Sequence, residues 1–116
     1  MSSESVNKKR LKELAARVRK DPRDSFSKFA LALELIKIDE VNKALTLFES
    51  VYKQDPEYLG VYYHLGKLYE HFGRFTDAEQ MYQKGIALAE NKGEAHAKSE
   101  LMEALQILDI EKKHDH

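Results

Sequence analysis

Apolar residues recur along this chain at steps of three and four, the spacing of one face of an α-helix. Leu11, Leu14, Ala15 and Val18 form such a stripe on a charged segment and predict a helix from about Asn7 to Lys20. Asp21-Pro22 should end it, since the residue before proline is biased away from helix. Phe26, Phe29, Ala30, Leu31, Leu33, Leu35 and Ile36 follow. They make the next helix apolar over much of its circumference, as expected of burial on more than one side. Asp24 or Ser25 is its candidate cap. Asp39-Glu40 marks a turn, and Asn42 is the candidate cap of a third helix with Ala44, Leu45, Leu47, Phe48, Val51 and Tyr52 inward. Asp55-Pro56 ends that helix. A fourth carries Tyr62, Leu65, Leu68 and Tyr69, and His71-Phe72-Gly73-Arg74 turns into a fifth, capped by Thr76 or Asp77. Tyr82, Ile86 and Leu88 face inward there, and Asn91-Lys92-Gly93 suits a left-handed helix end. A last stripe, Ala97, Leu101, Ala104, Leu105 and Leu108, predicts a helix from about Glu94 to Ile110. Residues 1–6 should fray, and residues 111–116, which have no apolar content, should be a disordered tail. Alternating strand patterns are nearly absent.

The pattern repeats. Leu31 and Leu65, Ala44 and Ala78, Phe48 and Tyr82, and Asp21-Pro22 and Asp55-Pro56 are each separated by 34 residues. Several positions agreeing on one offset point to a tandem helix-pair repeat. Leu65-Gly66, Tyr69, Gly73, Ala78 and Tyr82 stand where a tetratricopeptide repeat has its signature residues. The chain resembles that family over nearly its whole length. The resemblance implies an all-α, right-handed α-solenoid of antiparallel helix pairs with about six helices. It divides a single domain, 1–116, into an N-terminal half-repeat helix (7–22), repeats over 25–58 and 59–92, a capping helix (94–110) and the tail. Two departures stand out: Ala32 replaces the glycine that Gly66 supplies, and Asp39 replaces Gly73. Ala is small enough for helices to meet closely, and Asp tolerates a turn through local hydrogen bonding. Gly66 in mid-helix costs about 1 kcal/mol of propensity; close approach of the paired helix, with Ala78 opposite, is the expected compensation.

Composition narrows the function. Nineteen Lys and Arg balance twenty Asp and Glu, for a formal charge of −1. That balance argues against nucleic acid and against an anionic membrane as partners. There is no cysteine, so disulfides, thiolate metal sites and thiol nucleophiles are excluded, and a reducing compartment is compatible. The N-terminus leads into no apolar run, and no window approaches the roughly 20 apolar residues of a membrane span. The reading is a soluble cytoplasmic protein.

Catalytic and cofactor chemistry find no foothold: the glycines are scattered, and no serine sits in a nucleophile elbow. His64 and His71 lie two helical turns apart, roughly 10 Å, too far to share one metal. His114 and His116 could hold a metal only weakly. No cofactor or metal is expected, and the chain is not expected to be an enzyme. Tyr62, Tyr69, Phe72, Phe75 and Tyr82 fall where the repeat packs on itself. The resemblance places Phe29, Leu33, Ile36, Tyr63, Lys67, Glu70 and His71, with Lys98, on a concave surface where the family binds peptides or proteins. Its carboxylate-clamping Lys, Asn and Arg set is missing: Phe29 and Leu33 stand at clamp positions of the first repeat, and His64 at the asparagine position of the second. The implied function is a protein-interaction adaptor whose groove is apolar at its N-terminal end and of mixed charge at its C-terminal end. The alternative is a self-assembling module, a homo-oligomer paired through the apolar first helix of the first repeat.

Overall fold

A computed structural model describes residues 3–114. Among the described residues the chain is all helix, in a solenoid-like succession of helix pairs without strands. The elements are α1 (Ser3–Lys20), α2 (Ser25–Lys37), α3 (Val41–Gln54), α4 (Gly60–His71), α5 (Phe75–Lys92) and α6 (Ala95–His114). The helices gather into two compact units, Met1–Tyr58 and Leu59–His116. In a repeat architecture each helix packs mainly on its sequence neighbours, so helical groups are compact by themselves.

Both ends of the chain hold more helix than expected. α1 begins at Ser3, not near Asn7, and α6 runs through His114, so residues 111–114 are not a disordered tail. Residues 115–116 lie outside the described residues. The extension at α6 has a local cause: Lys112 Nζ donates to Glu79 Oε2 at 2.8 Å, pinning its last turn to α5.

The turns show why the repeat has its length. At the end of α2, Glu40 N–H bonds Leu35 C=O at 2.9 Å and Asp39 N–H bonds Ile36 C=O at 3.0 Å. At the end of α4, Arg74 N–H bonds Tyr69 C=O at 2.8 Å and Gly73 N–H bonds Glu70 C=O at 3.0 Å. These are paired Schellman closures, which require a left-handed residue after the helix. Asp39 (φ 63°) and Gly73 (φ 75°) supply it. Gly93 (φ 70°) does the same before α6, with Glu94 N–H on Ala89 C=O at 2.9 Å. The next helix starts directly after each closure, at Val41 and Phe75, with Glu40 and Arg74 in the cap positions and no side-chain cap. Asn42, Thr76 and Asp77 are therefore not caps. Asp24 is one: it accepts from Ser27 N at 3.1 Å and from Ser27 Oγ at 2.6 Å. Those two bonds, the hydroxyl first, hold its carboxyl below the usual carboxylate range.

In the first unit Leu14, Ala30, Leu31, Ala32, Leu35, Ala44, Phe48 and Val51 are buried. Burial of apolar surface at about 25 cal/mol per Å² is the main stabilising effect here. Three polar residues are buried with them, each with partners. Lys28 Nζ reaches Ser50 Oγ at 2.7 Å and Gln54 Oε1 at 2.8 Å. Glu34 accepts from Arg10 Nε at 2.9 Å and Lys37 Nζ at 3.1 Å, and Ser27 is the capping partner described above. In the second unit Val61, Tyr62, Leu65, Leu68, Tyr69, Ala78, Met81, Tyr82, Ala89, Leu101, Ala104 and Leu108 are buried.

The close approach in the second unit involves a different partner from the one expected. A Cβ at Gly66 would lie 2.1 Å from the Tyr82 ring, and one at Gly85 would lie 2.7 Å from Tyr62 Cβ. Position 66 meets 82 while 62 meets 85, so α4 and α5 run antiparallel. Gly66 makes room for the Tyr82 ring, not for Ala78, which is fully buried elsewhere on α5. Exposure overturns the expected packing of Phe72 and sets Phe26 apart on α2. Phe72 is 38% exposed and Phe26 is 60% exposed, so neither belongs to the core. Phe72 is the residue at the end of α4, just ahead of the left-handed Gly73, where the chain leaves the packed face.

Candidate partner-binding site

Helical spacing sorts the residues of α2 by face. Phe26, Phe29, Leu33 and Ile36 follow one another at steps of three, four and three, so they share a stripe. Ala30, Leu31, Ala32 and Leu35 are buried on the rest of the circumference, with Ser27, Lys28 and Glu34. Phe26 is exposed, while Phe29, Leu33 and Ile36 are half-buried. Phe29 is held from below: its ring meets Phe48 edge-on at 5.5 Å and Tyr58 at 5.1 Å. Burial, followed by the charges of Asp24 and Asp55, raises the Tyr58 phenol above its ordinary value, so it stays neutral. The first unit thus presents an apolar stripe fixed by aromatic packing beneath it.

Phe26 was the functional candidate that sequence reasoning missed. It is one of many apolar residues on α2, a helix that is apolar nearly all round. Its spacing from Phe29 and Leu33 was the available signal.

On α4 the same reasoning groups Tyr63, His64, Lys67, Glu70 and His71 on one face. Lys67 Nζ lies 5.7 Å from the centre of the Tyr63 ring, a cation–π distance, and 4.0 Å from Glu70 Oε2. Glu70 also accepts the Tyr82 hydroxyl, and it is mostly covered. Burial, then the bond to Glu70, raises the Tyr82 phenol far above its ordinary value. Glu70 is therefore occupied internally, whereas Lys67 keeps 42% of its side chain in solvent. His64 packs edge-on to Tyr63 at 5.4 Å. Burial depresses its pKa, with the Glu100 carboxylate pulling the other way, so the ring is neutral near pH 7. His71 is exposed beside Phe72, at 5.1 Å. Lys98, on α6, lies 3.6 Å from Glu90.

The structure thus brings the sequence-derived candidates together as two sets. Phe29, Leu33 and Ile36 lie in the first unit. Tyr63, Lys67, Glu70 and His71 lie on α4 of the second, with Lys98 on α6. Among the described residues no cluster of three or more His, Cys, Asp or Glu could hold a metal ion. His116, and the side chain of His114, lie outside the described residues. No helix among the described residues is long and apolar enough to cross a membrane.

No curated protein matches the chain. Among solved structures, a tetratricopeptide repeat domain protein from Salinibacter ruber is 44% identical, covering 74% of this chain and 96% of its own, with a TM-score of 0.72. The type III secretion translocator chaperone SycD of Yersinia enterocolitica is 17% identical over 94% of this chain and 83% of its own, with a TM-score of 0.83. PcrH, solved in complex with the chaperone binding region of PopD, is 16% identical over 88% of this chain and 77% of its own, with a TM-score of 0.80. The last two show likeness of fold alone. Residues 39–105, more than half of the chain, match the family model described as tetratricopeptide repeat. Together with the 34-residue offset and the repeated Schellman turns, this shows that the chain belongs to the tetratricopeptide-repeat family.

Proposed function

We propose that this chain is a protein-interaction adaptor with two binding faces, that of α2 in the first unit and that of α4 in the second, each suited to a peptide or a segment of a partner protein. The observation that carries the reading is the α2 stripe. Phe26 is 60% exposed and lies in line with the half-buried Phe29, Leu33 and Ile36. An apolar row on a rigid helix suits an apolar or aromatic anchor of a partner segment. On α4, in the second unit, Tyr63 and Lys67 offer a flat ring and an exposed ammonium, a face suited to a polar segment. PcrH, of like fold, is seen with a segment of PopD, and an occupant of that kind is proposed here. A cysteine-free chain also suits the reducing cytoplasm as its location.

The test is substitution on both faces. Phe26→Ser with Leu33→Ser, and separately Tyr63→Ala with Lys67→Ala, should each weaken binding of the natural partner at least about tenfold, as loss of interface anchors does. Helical content by circular dichroism should stay unchanged. A partner that binds both variants with full affinity would refute the proposal. The exposure of Phe26 also favours a second reading, a homodimer through α2. Sedimentation that shows a monomer at high concentration removes it.

A further inference from the structure

The two units carry charge of opposite sign on defined surfaces. Residues 8–23 hold eight Lys and Arg against Glu13 and Asp21. On α1, Lys8, Lys9, Lys12, Arg19 and Lys20 fall within a sector of about 120° at 100° per residue, and all are exposed. Ala16 is the only other member of that sector among residues 8–20. None of these five cations forms an ion pair among the described residues, whereas Arg10, on another face, is tied to Glu34. Leu11 and Ala15, half-buried, border the sector. α1 thus presents a basic edge beside a partly exposed apolar one.

The second unit holds the complementary shape. A groove of about 610 Å³ between α5 and α6 is lined by Ile86, Met102 and Leu105, with Ser99, Gln106, Glu103 and Asp109 around them. Met102 is 51% exposed. No cation lines the groove. Neither Glu103 nor Asp109 forms an ion pair among the described residues, and nearby Lys112 is committed to Glu79. An apolar floor with a carboxylate rim matches a helix edge that is apolar along one side and basic along the other.

We propose that this groove receives α1 of a second copy of the chain, in a head-to-tail contact. Lys12 and Arg19 meet Glu103 and Asp109, and Leu11 and Ala15 lie against Met102 and Ile86. Charge complementarity argues for this occupant. The chain is near neutrality at −1, so copies do not repel one another, and every copy supplies both surfaces in equal amount. The contact is heterologous, so it leaves a free α1 and a free groove at the ends of any open assembly. It is separate from the α2 and α4 faces and does not depend on their binding a partner.

The test uses the full chain in sedimentation velocity. At about 0.01 M ionic strength, where the Debye length is about 30 Å, the protein should associate with rising concentration. At about 1 M, where it is about 3 Å, association should be lost. Lys12→Gln with Arg19→Gln, and Glu103→Gln with Asp109→Gln, change only exposed positions. Each pair should weaken association about tenfold, the size expected for two exposed ion pairs. Mixed, the two variants should form a complex that stops at one copy of each, because each keeps the surface the other lacks. A monomer at every salt concentration would leave the groove to a foreign basic segment and overturn the proposal. Association unchanged in either variant, or no complex on mixing, would overturn it too.

Discussion

Gly66→Ala isolates the contact on which the second unit is built. The added Cβ would stand 2.1, 2.6 and 2.7 Å from three atoms of the Tyr82 ring. Carbon atoms sit comfortably at about 3.5–4.0 Å, so the ring would have to retreat by more than about 1 Å. It has little room to do so, because Tyr82 is fully buried and its hydroxyl is bound to Glu70. Alanine gains about 1 kcal/mol of helix propensity over glycine. Overpacking a filled core costs about 1–3 kcal/mol, and displacing a hydrogen bond to a carboxylate adds about 1.5–3 kcal/mol. The balance is a net loss of about 1.5–5 kcal/mol, and each kcal/mol lowers Tm by about 4–8 °C in a small domain. Denaturant titration and thermal melting would measure it. The first unit supplies a natural control: Ala32 and Phe48 stand 34 residues before Gly66 and Tyr82, and both are buried. In the Tyr82→Phe background the ring loses its tether, so Gly66→Ala should cost about 1.5–3 kcal/mol less. A Gly66→Ala protein as stable as the parent, or an equal penalty in both backgrounds, would refute the close-approach reasoning.

Further expectations follow from other parts of the structure. Gly73→Ala meets no atom within 4 Å, so its cost is the left-handed backbone alone, about 1–2 kcal/mol by denaturant titration. Ala78→Leu, at a fully buried site, should destabilise by about 1–3 kcal/mol through overpacking; an unshifted melting curve would contradict the burial. His64 provides a pH signature. Burial lowers its folded pKa below the ordinary 6.5, so between those two values the unfolded chain binds more protons. Stability therefore holds above about pH 6.5 and falls as pH drops through the window beneath it. His64→Gln should flatten that segment of a stability–pH profile, and an unchanged slope would show that the ring is not desolvated.

Much of the fold was legible because stacked helix pairs impose a period. The 34-residue offset recovers the helix order, and Asp39 was correctly read as a turn residue although glycine is usual there. The helix starts were not legible. Asn42, Thr76 and Asp77 have good capping chemistry, but the Schellman closures at Asp39 and Gly73 fix where α3 and α5 begin, so backbone geometry outranks side-chain preference. The partner of Gly66 was missed for a related reason. A small residue invites close approach, but the sequence does not say that an aromatic ring, not Ala78, fills the space. On the candidate site, the family resemblance grouped Phe29, Leu33 and Ile36. It could not show that Phe26 faces solvent, because α2 is apolar on almost every side. Nor could it show that the Tyr82 hydroxyl engages Glu70, a contact set by the antiparallel pairing of α4 and α5.

The proposed function requires that a partner sit on the exposed stripe of α2. Site-specific photo-crosslinking in the native cell tests it most directly, with benzoyl-phenylalanine placed at Phe26 and, as a control, at Thr46 on the exposed face of α3. The prediction is a defined crosslinked protein from position 26 and none from position 46. Equal crosslinking at both positions, or a product from position 46 alone, would contradict it.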